Sequence, residues 1–276
     1  MRIAWATDIH LDCVQRAVEA VDKLYNESLG SDCLILTGDI SVSPFLISHL
    51  QLLDDTLRKP IYFVLGNHDY YFSNIGVTRK KIANACRHMS FARYLGDVSF
   101  IRLNKSVCLV GADGWYDALN GNPFAGQFLM NDWVKIENFM PSIRTFPTSK
   151  AIDRRIVAQI SQNLSRESAA HIARGIKSCI NGAEHVIIAT HVPPFAQACL
   201  SSKYPIEDVD EISPWYSSRI MSEVILSAAR AYPSKNFTVL SGHTHGHFNS
   251  KILPNLTARV GKSEYGLPQI ADLIDI

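Results

Sequence analysis

The 276-residue chain has no hydrophobic run that approaches the roughly 18 consecutive apolar residues of a membrane-spanning helix. Its amino-terminal stretch also lacks the apolar core of a secretory signal, because Asp8 follows after only a few residues. We therefore expect no membrane partner and a cytoplasmic location.

Cysteine is present, but never in the closely spaced CxxC pairs that thiolate zinc sites use. Several of the six cysteines lie in apolar stretches such as DCLILT and VCLVGA. This placement predicts free, buried thiols in a reducing compartment. The cysteines are Cys13, Cys33, Cys86, Cys108, Cys179 and Cys199.

A surplus of positive charge is also missing. The 27 basic and 26 acidic residues leave a formal net charge of +1. General nucleic-acid binders and proteins that bind anionic membranes carry a strong basic surplus, so this balance argues against both. It leaves open a local basic cleft.

What the chain does contain is an early alternation of strand-like and helix-like segments. Apolar runs such as RIAWAT, CLILT and IYFVL are typical of buried strands, and segments 14–29 and 43–58 between them have helical spacing. Further strand-like runs are VSFIRL, VCLVGA, HVIIAT and FTVLS. The alternation predicts a layered α/β fold.

The middle of the chain differs in character. Residues 130–181 show helical patterns without a strand signal, and 197–216 form a long irregular connection of a kind that tends to be functional or mobile. No segment rich in Pro, Gly or Ser divides the chain. We therefore predict one domain over 1–276, with a helical insertion at about 115–182.

Five strand candidates end in polar side chains that can bind metals. In open α/β sheets, ligands bind beyond the carboxyl ends of the strands, where loops face a crevice. Residues two apart in an extended segment point the same way, so Asp8 can act with His10, and His243 with His245. The clusters are Asp8-Ile9-His10, Gly38-Asp39, Gly66-Asn67-His68-Asp69, His191-Val192-Pro193-Pro194 and Gly242-His243-Thr244-His245.

The ligand candidates combine four imidazoles, two carboxylates and one amide. Such mixed nitrogen and oxygen donors suit Mn, Fe, Zn, Co or Ni, whereas magnesium and calcium prefer oxygen alone. Seven donors exceed the needs of one ion with an open position, but they fit two divalent ions that share a carboxylate. The candidates are Asp8, His10, Asp39, Asn67, His191, His243 and His245.

The ordered motifs DIH, GD, GNHD, H and GHTH resemble the calcineurin-like metallophosphoesterase superfamily over residues 8–245. The resemblance implies a two-sheet β-sandwich flanked by helices, with a dinuclear metal site at one edge and Mn or Fe as the favoured ions. Protein Ser/Thr phosphatases of the superfamily extend the second motif to GDxxDRG. Here the arginine and the additional acid are missing, which argues against a protein phosphatase.

The family pattern also implies a role for each motif residue. One ion would be held by Asp8, His10 and His245, the other by Asn67, His191 and His243, with Asp39 bridging the two. His68 would face the leaving-group oxygen and protonate it or stabilise its charge. Asp69 corresponds to the acid that follows this histidine in many members, and it is the second catalytic candidate.

The charge of the site favours an anionic substrate. Two divalent ions together with Asp8 and Asp39 leave a formal charge of about +2. We hypothesise that a phosphomonoester or a small phosphodiester is hydrolysed by in-line attack of a hydroxide that bridges the ions. Two alternatives stay open, a non-catalytic interaction scaffold of the same fold and a nuclease.

Several residues outside the motifs are candidates for contact with the site. Asp113 follows a strand-like run and could form hydrogen bonds that support the ligands without binding metal itself. Tyr70 and Tyr71 could contact a leaving group. His247 extends the last motif and is expected behind the ligands or at the surface. Candidates for a substrate wall or for the core are Trp115, Tyr116, Tyr204 and Trp215.

Overall fold

The computed structural model describes residues 1–125, 129–146, 149–201 and 209–276. Strands and helices alternate in these ranges. The strands are β1 (Arg2–Ala6), β2 (Cys33–Thr37), β3 (Ile61–Val64), β4 (Ala92–Tyr94), β5 (Ile101–Arg102), β6 (Val107–Gly111), β7 (Ile143–Phe146), β8 (Ser149–Ile152), β9 (His185–Ala189), β10 (Asn236–Ser241), β11 (Phe248–Leu253), β12 (Leu256–Val260) and β13 (Asp272–Asp275). The α-helices are α1 (Ala17–Glu27), α2 (Ser43–Leu57), α3 (Ile75–Cys86), α4 (Asp132–Lys135), α5 (Arg154–Cys179), α6 (Val209–Tyr216) and α7 (Arg219–Ala231).

Two sheets form the body of the protein. The first has the strand order β13-β1-β2-β3-β4, in which β1 to β4 are parallel. The second has the order β11-β12-β10-β9-β6-β5, in which the four central strands are parallel. The edge strands β5, β11 and β13 pair antiparallel with their neighbours. The predicted layered α/β fold is confirmed.

The sheets pack face to face through alternate residues of their strands. Ile3 and Trp5 of β1 lie in this inner cluster with Leu109 of β6 and Ile187 of β9. The intervening Ala4 belongs to the cluster on the other face of the first sheet, because successive strand residues point to opposite faces. The strands are thus covered on both sides, which explains their nearly unbroken apolar runs.

Helices cover the outer faces of the sheets. Helix α2 has Pro44 in its first turn, where the missing N–H has no partner to lose, and it buries Leu46, Leu50 and Leu53 along one side. Helix α5 is the longest described, with 26 residues, and packs against α7 and β6. Among the helices of the described ranges, none combines the length and the apolar character needed to cross a bilayer.

The inserted segment is not wholly helical. Helix α4 is followed by β7 and β8, which pair as an antiparallel hairpin before α5 begins. Ile143 and Thr145 carry β-branched side chains that favour strands, and Pro141 cannot donate a helical hydrogen bond. The helical prediction for 130–181 is therefore wrong over the hairpin. The single-domain assignment stays a prediction.

Other differences lie in loops and at sheet edges. Helix α6 occupies part of the connection predicted as irregular at 197–216, whereas residues 202–208, including Tyr204, lie outside the described ranges. The strands β4, β11, β12 and β13 were not predicted. Their sequences are short or mix polar with apolar residues, because these strands lie at a sheet edge or, for β12, next to one, and bury only part of their surface.

Asp54 joins helix α2 to the start of β4. Its buried carboxylate accepts hydrogen bonds from the backbone N–H groups of Ser90 at 2.9 Å, Phe91 at 2.7 Å and Ala92 at 2.6 Å. A buried N–H group that loses its acceptor retains its desolvation cost. This carboxylate therefore stabilises the edge of the first sheet.

We expect Asp54→Asn to lower the free energy of unfolding by about 1–3 kcal/mol. The NH₂ group of the asparagine would face a backbone N–H group, so that at least one of the three hydrogen bonds is lost. Urea unfolding followed by circular dichroism measures this loss. The adjacent, exposed Asp55→Asn is the matched control and should change stability by less than about 0.5 kcal/mol. Equal stability of the two variants would contradict the role given to Asp54.

Candidate metal centre

The carboxyl ends of parallel strands from both sheets bring the seven predicted ligands to one place. Asp8 and His10 follow β1, Asp39 follows β2 and Asn67 follows β3, all in the first sheet. The second sheet contributes the histidines at 191, 243 and 245, which follow β9 and β10. All of these side chains except that of His245 belong to buried residues.

Two carboxylates and two imidazoles form the first group of donors. The Nε2 atom of His245 lies 3.3 Å from Oδ1 of Asp8 and 3.4 Å from Nε2 of His10. The Nε2 atom of His10 is 3.7 Å from Oδ2 of Asp39. One donor atom from each of the four residues lies within 4.8 Å of all the others, which is a suitable spacing for one metal ion.

Asn67, His191 and His243 form the second group. Oδ1 of Asn67 is 2.9 Å from Nε2 of His191 and 2.9 Å from Nδ1 of His243. Nε2 of His191 is also 3.4 Å from Oδ1 of Asp39. Asp39 therefore contacts both groups, one through each carboxylate oxygen, as expected of a bridging ligand.

The hydrogen bonds behind these two imidazoles fit a metal site. Nδ1 of His191 donates to the carbonyl oxygen of Thr37 at 2.8 Å, and Nε2 of His243 donates to that of Trp215 at 3.3 Å. When both rings are neutral, the opposite nitrogen of each presents a lone pair to Oδ1 of Asn67, which carries lone pairs of its own. A cation satisfies all three atoms at once, and such anchoring of ligand histidines is typical of metal centres.

Backbone conformation sets the ligands apart from the rest of the chain. Eight non-glycine residues have positive φ in the described ranges, and five of them are predicted ligands. This left-handed conformation costs on the order of 1 kcal/mol or more per residue and tends to occur at functional sites. It turns the side chains toward the centre directly after each strand. The five are Asp8 (φ 49°), His10 (39°), Asp39 (51°), His243 (69°) and His245 (56°).

Glycines allow the loops to approach each other as closely as they do. A Cβ atom on Gly66 would contact Oδ1 of Asp39 and lie 2.5 Å from its backbone nitrogen. One on Gly38 would lie 2.7 Å from Nδ1 of His191, and one on Gly242 would contact Asp8. The glycines of these three motifs are therefore required by the predicted ligands that lie against them.

Burial and charge set the protonation of the donors. Burial lowers the pKa of His10 to about 4 and that of His243 to about 3, so both imidazoles are neutral near pH 7, as metal binding requires. Burial opposes the charge of Asp8, but the hydrogen bond and charge of His245 prevail and lower the Asp8 pKa to about 2. Burial would also lower the pKa of His191, yet the charge of Asp39 raises it to about 10. A proton and a divalent ion therefore compete for this imidazole.

His68 and Asp69 are adjacent in sequence but differ in their surroundings. The His68 side chain is 17% exposed, its Nε2 lies 4.0 Å from Oδ2 of Asp39, and its ring stacks on Tyr71 at 4.3 Å. Asp69 is fully buried and accepts hydrogen bonds from the backbone N–H groups of Gly66, Ile40 and Ser41 at 2.7–3.0 Å. Asp69 thus ties the loops after β2 and β3 together and does not line the cavity.

Asp113 has the contacts expected of a residue that supports the site. Its carboxylate accepts hydrogen bonds from the hydroxyls of Tyr70 and Tyr94, from Arg79 and from the backbone of Leu65. Its carbonyl oxygen accepts the backbone N–H of His191 at 2.8 Å. Because Tyr70 is fully buried, it has no access to a leaving group.

Of the other aromatic candidates, Trp115, Tyr116 and Trp215 are buried in the core. His247 is exposed, as one of the two expectations for it stated. A cavity of about 140 Å³ opens at the donors, with Tyr71, His68 and Asn67 in its wall.

Asp132 and Tyr265 are among the wall residues of this cavity that were missed from the sequence. Asp132 lies in the inserted segment, and Tyr265 lies beyond the last motif with its ring 4.3 Å from that of His10. Neither belongs to a recognisable motif, so no local signal marks them.

Comparison with known proteins gives the family. The pattern of the calcineurin-like phosphoesterase family matches residues 1–247, and the protein belongs to this family. The fold is similar to a phosphopantetheinyl hydrolase from Mycobacterium tuberculosis (16% identity, 96% of this chain and 89% of that chain, TM-score 0.65). It is also similar to a dimetal phosphatase from Danio rerio (14% identity, 95% and 87%, TM-score 0.56). Among curated proteins, no sequence matches significantly.

We expect Gly66→Ala to lower manganese affinity on the order of 10–100-fold, because the added methyl group displaces Asp39. Isothermal titration calorimetry on metal-free protein measures the affinity. Gly76→Ala is the matched control, since its methyl group meets only Oδ1 of Asn74, at 3.4 Å. Wild-type affinity in Gly66→Ala would show that Asp39 is not part of the metal centre.

Proposed function

We propose that this protein is a dinuclear metal-dependent phosphoesterase that hydrolyses a phosphomonoester or a small phosphodiester. The observation that carries the proposal is the position of Asp39 between two groups of donors, with His68 beside it at the open cavity. Membership of the calcineurin-like phosphoesterase family supports the reaction class. The two solved structures support the fold, and at 16% and 14% identity they do not select a substrate.

The donor set accounts for binding of the substrate anion. Two divalent ions at this site would polarise the phosphoryl group and supply hydroxide at neutral pH. Asp8 and Asp39 contribute the formal negative charges, while Asn67 and the neutral imidazoles contribute none. The loaded site therefore keeps a formal charge of about +2, which a phosphoryl group neutralises.

His68 is the residue that we place at the leaving group. Its ring lies at the edge of the cavity, its backbone N–H donates to Oδ1 of Asp39 at 2.9 Å, and Tyr71 supports one face of the ring. The side chain is thereby held beside the reacting phosphoryl group without belonging to either donor group. From there it donates a proton to the departing oxygen or stabilises its charge.

We expect the manganese-loaded protein to hydrolyse p-nitrophenyl phosphate or bis-p-nitrophenyl phosphate, with activity lost on chelation and restored by manganese. Release of p-nitrophenolate measures the rate on each ester, and the ratio of the two rates distinguishes monoester from diester preference. A protein that binds manganese and cleaves neither ester would favour the scaffold. Cleavage of an oligonucleotide alone would favour the nuclease.

We expect His68→Ala to lower kcat by roughly 10²–10⁴-fold while the manganese content stays at two ions, because a proton donor is lost and the donor groups remain. Steady-state kinetics and elemental analysis measure the two quantities. His247→Ala removes an exposed imidazole close in sequence to the last motif and should behave as wild type. Unchanged turnover in His68→Ala would refute its assignment.

A further inference from the structure

Asp132 is a buried carboxylate that the inserted segment brings to the metal centre. It is fully buried and is separated from Asn67 by 65 residues of chain. In the described ranges, the side-chain hydrogen bonds to its carboxylate come from Asn67, Tyr71 and Tyr116, which are all donors. A carboxylate that collects three donors beside a catalytic cavity calls for an explanation beyond packing.

The first contact sets the orientation of a predicted ligand. Nδ2 of Asn67 donates to Oδ1 of Asp132 at 2.9 Å, which leaves Oδ1 of Asn67 facing His191 and His243. An amide turned by 180° would present its N–H group to the metal and could not serve as a ligand. A carboxylate only accepts hydrogen bonds, so Asp132 excludes this turned orientation, whereas an amide at position 132 tolerates both.

The second contact reaches His68. The Tyr71 hydroxyl donates to the same Oδ1 atom of Asp132 at 2.8 Å, and the Tyr71 ring stacks on His68 with an angle of 29° between the ring planes. Nζ of Lys135, from the same short helix as Asp132, lies 5.0 Å from the centre of the Tyr71 ring. Helix α4 thus holds Tyr71 at its hydroxyl and its ring, and Tyr71 in turn supports His68.

Helix α4 and the residues directly after it also contact the backbone of the loop that follows Tyr71. The N–H of Phe72 donates to the carbonyl oxygen of Lys135 at 2.7 Å, and the N–H of Glu137 donates to that of Ser73 at 3.1 Å. The position of Asp132 is therefore fixed relative to the loop that carries Asn67 and His68.

We propose that Asp132 is a positioning residue, which fixes the amide of Asn67 as a metal ligand and, through Tyr71, the ring of His68 at the leaving group. The inference rests on the proposed function, since both of these residues act only in the loaded enzyme. The inserted segment would thus contribute a residue that positions groups for the reaction.

The test compares Asp132→Asn with Asp54→Asn, because each replaces a buried carboxylate that accepts three hydrogen bonds. We expect Asp132→Asn to weaken manganese binding at one of the two sites by about 10–100-fold and to lower kcat, with little change in KM. Asp54→Asn should be less stable than wild type and keep its manganese affinity. Calorimetric titration of metal-free protein, steady-state kinetics and thermal unfolding supply the three readouts.

Tyr71→Phe tests the support of His68 separately from the contact with Asn67. This variant also provides the test of the inference if Asp132→Asn does not fold. The ring remains and the hydroxyl is lost, so we expect kcat to fall while manganese affinity is kept. Wild-type manganese affinity and kcat in Asp132→Asn, or wild-type kcat in Tyr71→Phe, would overturn the inference and leave the proposed function intact. A wild-type protein that neither binds manganese nor hydrolyses an ester would overturn the proposed function itself.

Discussion

The structure around the site depends on keeping the charge of Asp39 buried between two groups of donors. Its side chain is only 2% exposed, and a carboxylate without partners would be costly in such a place. The partners come from three directions, with His10 and His191 at its two oxygens and the backbone N–H of His68 at Oδ1. In the metal-free protein a proton on His191, whose pKa the charge of Asp39 raises to about 10, balances this carboxylate, and a pair of divalent ions would take over that role.

Three further buried carboxylates support this centre, each in a different way. Asp69 joins the loops after β2 and β3 through backbone N–H groups, while Asp113 joins the end of β3 to tyrosines and to Arg79. Asp132 connects the inserted segment to Asn67. Buried polar networks of this kind are rigid when every member has a partner, and rigidity is what a site with several ligands needs. Five of the predicted ligands have left-handed backbone, which costs free energy of folding. The apolar packing between the two sheets offsets this cost.

The geometry of the two sheets explains why predicted ligands so far apart in sequence meet. Parallel strands bring their carboxyl ends to one edge of each sheet, and the face-to-face packing brings the two edges together. The loops there carry the predicted ligands, while the inserted segment and the chain beyond the last motif supply Asp132 and Tyr265 to the cavity wall.

The sequence by itself determined the strands that carry the motifs, the α/β class and the seven polar side chains that meet beyond the ends of those strands. These features are local, because an apolar run followed by glycine and polar residues already specifies a buried strand and the loop after it. Tertiary structure alone decided the supporting contacts. Asp132 meets Asn67 across 65 residues, Tyr265 meets His10 from beyond the last motif, and the hairpin of β7 and β8 forms within a segment of helical pattern. The spacing of apolar residues along the chain does not predict such contacts, because they arise only when separate segments pack together.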